Sequence, residues 1–242
     1  MKSVTTSLTV LELVASLQPV GVSELAREIS QPKSTVQRAL ETLAATGWIE
    51  RDEVNPQAWI TTGKLLTLAV RGGALDLREQ AAPVMRELMK LTQENVHLSI
   101  RSGNSISIID KLECEQVVRL FDPIGEFFPI HATSTGKAIL AWTDEAEVDA
   151  IIEAGLQNFT DGTLTDPQQF RKELAMIREQ GFAVNLGEWR SEVRGIAAPI
   201  LTARGRPRGA ISIAVPAHRL PEESVTALGP IVASVVSTLK VN

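Results

Sequence analysis

Near its N-terminus the chain reads Ser30-Gln31-Pro32-Lys33-Ser34-Thr35-Val36-Gln37-Arg38-Ala39-Leu40-Glu41-Thr42-Leu43-Ala44-Ala45-Thr46-Gly47. This pattern predicts one helix, because Pro32 suits a first helical turn and Gly47 suits a left-handed end. Its apolar stripe repeats at i, i+4, i+7 and i+8, and consists of Val36, Leu40, Leu43 and Ala44. The residues away from the stripe are short hydroxyls, an amide and cations, namely Lys33, Ser34, Thr35, Gln37 and Arg38. Hydroxyls and cations can hold phosphates, while Gln and Arg can read base edges. The helix is therefore either a DNA-reading helix or an ordinary amphipathic helix with a solvated face.

The elements before this helix favour the DNA-reading alternative. Apolar spacing in residues 7–17 predicts a first helix, and residues 24–29 predict a second helix with Ser23 as its cap. A tight turn at residues 30–31 joins the second helix to the one described above. Two helices in this arrangement form a helix-turn-helix, and Ser23 is counted among the candidate DNA contacts.

A β-hairpin is predicted directly after the DNA-reading helix. Residues 48–51 and 58–61 read as its two strands, separated by a polar break. A hairpin in this place gives the winged form of the motif, in which the hairpin can touch phosphates or the minor groove. Its candidate DNA contacts are Arg51 and the tip residues Asn55 and Gln57. Trp48 and Trp59 are expected to pack beneath the hairpin.

The charge of the chain limits how it can bind nucleic acid. The net charge is −5, and residues 1–61 carry five Lys and Arg against seven Asp and Glu, a net charge of −2. Indiscriminate binding through bulk charge is therefore not expected. Binding to DNA must depend on where individual cations are placed.

Two more helices are predicted at residues 62–74 and 76–91, and Pro83 in the second is tolerable if that helix begins near residues 79–82. The apolar stripe of these helices has little to pack against, which suggests contacts between copies of the chain. We divide the chain into a winged helix-turn-helix domain at 1–61, a linker helix at 62–77 and a second domain at 78–242.

The second domain is predicted to be α+β with a largely antiparallel sheet, because hairpins and helices are mixed along it. Strands are predicted at 95–101, 105–112, 116–121, 182–186, 196–202 and 210–215, and helices at 144–154, 166–180 and 221–239.

One stretch of this domain invites a nucleotide-binding interpretation. Residues 131–141 contain Thr-Gly-Lys, but His131 stands where a phosphate loop has its leading glycine, and Ala138 follows Lys137. ATP and GTP are therefore rejected. A run of small residues entering a helix can still leave N–H groups free for a carboxylate or another acceptor, or it can be a tightly packed helix start without a ligand.

Residue counts and spacings argue against catalysis and metal binding. The chain has one cysteine, Cys114, and three histidines that are far apart in sequence, and it contains no nucleophile-elbow motif. We expect no enzyme activity, no catalytic residues, no cofactor and no metal. There is no signal peptide and no apolar run approaching a membrane span, so the cytoplasm is expected and a membrane partner is not.

At this point the sequence resembles the IclR family of bacterial transcriptional regulators along nearly its whole length. Three stretches carry the resemblance: residues 32–36 (Pro-Lys-Ser-Thr-Val), 129–138 (Pro-Ile-His-Ala-Thr-Ser-Thr-Gly-Lys-Ala) and 193–200 (Val-Arg-Gly-Ile-Ala-Ala-Pro-Ile). The resemblance implies an N-terminal winged helix-turn-helix, a linker helix and a C-terminal effector domain similar to the GAF fold. It also implies a dimer or tetramer that binds a double-stranded DNA operator.

In this family a small metabolite sits against the loop that enters the helix after His-Ala. The resemblance implies an effector site here formed by Ser134, Thr135, Asn185, Glu188, Gly195 and Ser212. Some members that bind small oxo-acids have an acid where Asn185 stands, Cys where Gly195 stands and Ser where Ala214 stands. The pocket is therefore expected to be roomier and less acidic, and to take an organic acid of larger size, such as an aromatic or sugar-derived metabolite.

The interpretation is a ligand-responsive transcription factor. The alternative is a metabolite-binding module or small-molecule enzyme whose N-terminal helices serve only association. If the polar face of this helix contacts only solvent, acidic substitutions at Thr35 and Arg38 should leave function intact. If the helix reads DNA, they should abolish function.

Overall fold

The computed structural model describes residues 2–241, apart from the side chains of Lys2 and Ala74. The chain divides into two compact units, Met1–Asp76 and Leu77–Asn242. Among residues 2–241, no helix is both long enough and apolar enough to cross a lipid bilayer.

The N-terminal unit is built from helices and a small antiparallel sheet. Its elements are α1 (Lys2–Leu17), β1 (Val20–Gly21), α2 (Val22–Glu28), α3 (Lys33–Ala45), β2 (Ile49–Arg51), β3 (Ala58–Thr61) and α4 (Lys64–Arg71). The sheet has the strand order β1-β3-β2, so the predicted hairpin gains a third strand from the segment before α2. The fold is the predicted winged helix-turn-helix.

A single apolar core holds α1, α2 and α3 against the hairpin. Val36, Leu40 and Leu43 of the predicted stripe are buried in it, and Trp59 packs there as expected. The α3 helix ends in a Schellman arrangement, because Gly47 has φ +76° and the Trp48 N–H donates to the Leu43 carbonyl at 2.9 Å. The α3 helix is thus fixed in place from its packed face and from its C-terminal end.

Three details of this unit differ from the prediction. The α1 helix begins at Lys2 instead of near residue 7. Ser23 is not a cap, because α2 begins at Val22 and its N-cap is Gly21. Pro32 is the N-cap of α3, with extended ψ of 139°, and so lies just before the first turn. The observed N-caps of α2 and α3 thus lie within two residues of the predicted positions.

The C-terminal unit is α+β. Its elements are α5 (Ala74–Thr92, which begins just before the unit boundary), β4 (Asn95–Ser102), β5 (Ser105–Leu112), β6 (Phe127–Pro129), α6 (Ser134–Leu140), α7 (Glu145–Glu153), α8 (Pro167–Gln180), β7 (Ala183–Leu186), β8 (Val193–Leu201), β9 (Pro207–Pro216), a short 3-10 helix (Ala217–Arg219) and α9 (Glu222–Ser237). The sheet has the order β6-β5-β4-β9-β8-β7, and every neighbouring pair is antiparallel.

Helices cover both faces of this sheet. On one face α5 and α9 form a core with the apolar side chains of β4, β8 and β9. On the other face α6, α7 and α8 form a second core with β5 and with alanines of β7, β8 and β9. Alternate residues of each central strand therefore face different helical layers.

Two predictions for this unit are wrong. Residues 116–121 do not form a strand, because side chains take their carbonyls: Arg219 donates to Val118 O at 2.5 Å and Asn95 donates to Leu120 O at 2.8 Å. The edge strand is β6, which the sequence analysis missed. Pro83 lies inside α5, whose first turn begins well before it at Ala74.

The start of α6 lies unusually close to the chain that leads into it. A Cβ atom at Gly136 would overlap the backbone carbonyl of Ile130, far inside van der Waals contact. The side chain of Thr133 caps the helix by accepting from the Gly136 N–H at 3.1 Å. This close approach places Ser134 and Thr135 against the sheet.

Replacing Gly136 with Ala is expected to lower the free energy of unfolding by about 3 kcal/mol or more, because backbone must move to admit the methyl group. Chemical denaturation of the full chain measures this. Gly162→Ala is the matched control, since its Cβ would meet only ordinary contacts at 3.7 and 3.9 Å. Equal stability of the two variants would contradict the close approach.

Candidate functional site

The exposed face of α3 carries the predicted DNA-reading residues. Lys33, Ser34 and Arg38 are exposed, and Thr35 and Gln37 are partly exposed. Among residues 2–241, neither Lys33 nor Arg38 forms an ion pair. Both cations are therefore available to a ligand on this face.

Two other candidate DNA contacts already have partners within the N-terminal unit. Gln37 donates from Nε2 to Oε1 of Glu41 at 2.8 Å. The Arg51 guanidinium lies 3.7 Å from the Trp59 ring centroid and donates to the Gln57 carbonyl at 3.1 Å. Arg51 is thereby oriented on the wing, while Gln37 would have to leave Glu41 before reading a base.

A cavity of about 60 Å³ lies between α6 and the sheet of the C-terminal unit. Five of the six predicted effector residues line it, namely Ser134, Thr135, Asn185, Gly195 and Ser212. The strand register brings three of them together, since Asn185 pairs with Gly195 and Ser212 lies one strand further. The structure thus gathers residues that are far apart in sequence.

Glu188 is the exception, because it lies outside the cavity lining. Its Oε1 is 2.5 Å from the Lys137 Nζ, and both side chains are buried. The lysine of the Thr-Gly-Lys stretch is therefore held by a carboxylate in the protein interior. This arrangement agrees with the rejection of a phosphate loop.

Several cavity residues were missed by the sequence analysis. They are His97 and Ser99 on β4, Asp122 in the segment before β6, and Trp189, Arg190 and Arg194 around the start of β8. A signal for the first two was present, because Asn95, His97 and Ser99 alternate with Val96 and Leu98. A strand with apolar side chains on one face and buried polar side chains on the other indicates a cavity lined by polar groups.

Three buried polar atoms in the cavity lining have no hydrogen-bond partner among the described residues. They are Ser99 Oγ, Trp189 Nε1 and Arg194 Nε. Buried polar atoms are nearly always paired in folded proteins, so a ligand that accepts hydrogen bonds would satisfy this set. Arg194 is also anchored, because its Nη1 donates to the Leu220 carbonyl at 2.8 Å.

Burial sets the charges in the cavity. Burial, and secondarily the Lys111 ammonium, lowers the pKa of His97 to about 4, so His97 is neutral near pH 7. Burial raises the pKa of Asp122, although the Arg190 guanidinium 3.8 Å away opposes this. The cavity lining therefore contains the guanidinium groups of Arg190 and Arg194 and one partly buried carboxyl group.

The cavity is small for an aromatic ligand. A cavity that admits a benzene ring has a volume of roughly 150 Å³, more than twice the volume found here. Gly195 does not add room, because a Cβ there would lie 2.9 Å from Ile213 O and 3.0 Å from Ser134 Oγ. The missing side chain at Gly195 is used for close packing of α6 on the sheet, so this glycine does not by itself make the pocket roomier.

The depressed pKa of His97 predicts a pH dependence of stability. Between pH 6.5 and pH 4 the unfolded chain binds a proton that the folded chain does not, so stability falls as the pH falls through this window. The contribution lost is about 3 kcal/mol.

The test compares the native chain with His97→Asn by chemical denaturation at pH 7 and pH 4. The native chain should lose about 3 kcal/mol more than the variant, which has no imidazole to protonate. Parallel losses in both proteins would show that His97 is not buried as a neutral group.

Comparisons with known proteins agree with this geometry in both units. Residues 3–53 match the family described as the IclR helix-turn-helix domain, and residues 72–240 match the family described as bacterial transcriptional regulator IclR C-terminal. The transcriptional repressor AllR of Escherichia coli K12 is 35% identical over 213 residues, which cover 88% of this chain and 79% of AllR.

Solved structures give the same result. A crystal structure of an IclR transcriptional regulator from Silicibacter sp. TM1040 is 28% identical and superposes with a TM-score of 0.81, covering 98% of this chain and 94% of that one. An IclR homologue from Microbacterium hydrocarbonoxydans, solved with 4-hydroxybenzoate, is 24% identical with a TM-score of 0.76, covering 98% and 99%. The chain belongs to the IclR family of transcriptional regulators, which join a helix-turn-helix DNA-binding domain to a C-terminal effector-binding domain.

Proposed function

We propose that α3 reads a specific double-stranded DNA operator and that the cavity beside α6 binds a small organic acid that controls this reading. The observation that supports the effector half most directly is the set of three unpartnered polar atoms in one small cavity. The exposed, unpaired cations on α3 support the DNA half.

The exposed residues of α3 have two proposed roles: some position the helix on DNA phosphates, and others specify the base sequence. Lys33, Ser34 and Thr35 lie in the first turn, where hydroxyls and an ammonium suit phosphate oxygens. Arg38 lies one turn further, exposed and without an ion pair among residues 2–241, so it is the main base reader. Gln37 is secondary because it is bonded to Glu41. Ser23 at the start of α2 and Arg51 on the wing are proposed to contact the backbone of the duplex.

Replacing Arg38 with Ala should weaken binding to a duplex selected from a random library by about 1–3 kcal/mol and should relax preference at one base position. Binding is measured at one fixed, near-physiological salt concentration. Arg27→Ala removes the same charge from α2 and serves as the control. A uniform loss on every duplex with Arg38→Ala would make this residue a phosphate contact and contradict base reading.

The lining of the cavity suits a compact anion. Arg190 and Arg194 supply positive charge, and Ser99 and Trp189 supply polar hydrogens. His97 is neutral near pH 7 and so contributes no charge to the cavity. About 60 Å³ is enough for an acid of a few carbon atoms and too little for an aromatic ring.

Calorimetry with glycolate, pyruvate and 4-hydroxybenzoate should show saturable binding of a two- or three-carbon acid and none of the aromatic acid. Trp189→Phe should weaken that binding about fivefold, because it removes the indole N–H and keeps an aromatic ring at this position. Trp142→Phe, whose residue lies outside this cavity, is the control. Tight binding of 4-hydroxybenzoate, with the small acids inactive, would contradict the size argument.

The regulator is proposed to act as a dimer or a tetramer in the cytoplasm and without enzyme activity. The supporting observation is α4, where Leu66, Leu68 and Val70 are 60%, 45% and 52% exposed. Apolar side chains in this density on one short helix favour self-association, and paired reading heads match a palindromic operator.

A further inference from the structure

The turn after β7 carries two of the residues that line the effector cavity. It spans residues 187–192, and we call it the 187–192 turn. Trp189 and Arg190 of this turn face the cavity, and the unpartnered Trp189 Nε1 is one of its three free polar atoms. The position of the turn therefore sets where an effector meets the indole N–H.

A buried ion cluster lies directly beneath this turn. Lys137 of α6 is 1% exposed, and its Nζ lies 2.5 Å from Glu188 Oε1 and 3.1 Å from Glu173 Oε1. Glu188 belongs to the 187–192 turn, whereas Glu173 belongs to α8. One ammonium thus joins three elements, of which α6 and the turn both line the cavity.

The first two residues of the turn are fixed through their backbone as well. Asn185 Oδ1 accepts the N–H groups of Gly187 at 2.9 Å and Glu188 at 2.7 Å. Thr163 donates from its hydroxyl to the Glu188 carbonyl at 2.6 Å. Glu188 is therefore a fixed point of the turn, and its side chain is the connection from that point to α6.

The ion pairs formed by Arg190 of the turn are longer than those of Lys137. Arg190 approaches Asp122 at 3.8 Å and Glu126 at 3.9 Å, and its side chain is 42% exposed. Exposed ion pairs at such distances contribute little, whereas breaking a buried pair leaves an uncompensated charge. Among the ion pairs of the turn, the buried one between Glu188 and Lys137 is therefore the strongest.

We propose that Lys137 is a positioning residue that acts through Glu188 to hold the 187–192 turn against the effector cavity, so that Trp189 presents its N–H to the bound acid. This inference rests on the proposed function of the cavity as the effector site. It assigns to the lysine of the Thr-Gly-Lys stretch a role in ligand recognition without contact to the ligand.

Hydrogen exchange of the backbone amides tests the proposal without any effector. Glu188→Leu removes the connection while Lys137 keeps Glu173 as its partner. Amides of the 187–192 turn should then exchange at least tenfold faster than in the native chain, while amides of β8 and β9 should change less than threefold. Glu173→Leu is the matched control, since it removes the other carboxylate of the same ammonium and should leave the turn amides within threefold of native.

Glu188→Gln is the second variant, because it keeps an acceptor for Lys137 if the leucine variant does not fold. Amides of the 187–192 turn should exchange faster in this variant than in the native chain and more slowly than in Glu188→Leu. If only Glu188→Gln folds, these amides should still exchange at least threefold faster than in the native chain. Calorimetry with pyruvate should show affinity falling in the same order as turn exchange rises. Equal acceleration by Glu188→Leu and Glu173→Leu, or native exchange in both Glu188 variants, would overturn the proposal. Faster turn exchange with no pyruvate binding to the native chain would uphold the positioning role and reject pyruvate as a ligand.

Discussion

The C-terminal unit depends on the close approach of α6 to the backbone around it. Gly136 leaves no space for a Cβ beside Ile130, and Gly195 leaves none between Ile213 and Ser134. These two contacts bring the start of a short helix onto a sheet from which it would otherwise be separated by side chains. The cavity exists because the polar start of α6 meets the polar face of β4 at this point.

The same closeness explains the charges in the interior. An ammonium as buried as that of Lys137 is tolerated only with ionised partners, and the structure supplies Glu188 and Glu173. Burial raises the pKa of Glu188, and Lys137 opposes this by direct contact. Since Lys137 directly follows Gly136, the residue that permits the close approach and the residue that joins the turn to α6 are consecutive. Packing and the proposed recognition of the effector are thereby coupled at one short helix.

Local signals were sufficient to predict most of the fold. Asp166 caps α8 with Pro167 at its first position, and Gly47 ends α3, because these residue types restrict the backbone in known ways. The failures arise where distant groups decide the outcome. Residues 116–121 have the composition of a strand, but side chains of Asn95 and Arg219 occupy two of their carbonyls.

The candidate effector site was predictable only in part. The resemblance supplied Ser134, Asn185 and Ser212, which the structure gathers at one cavity. Asp122, Trp189 and Arg190 come from turns, where no periodicity reports which way a side chain faces. A glycine in a sequence signals only the absence of a side chain, and the structure shows that at Gly195 the space is taken by the close packing of α6 on the sheet.

The central claim is that operator reading and acid binding are coupled in one chain. The direct measurement is the affinity of the full chain for a duplex selected from a random library, at one fixed salt concentration, with and without a saturating small acid. We expect enrichment of a palindromic motif and a change in Kd of about fivefold or more when the acid is present. Enrichment of no motif, or a Kd that every small acid leaves unchanged, would contradict the claim.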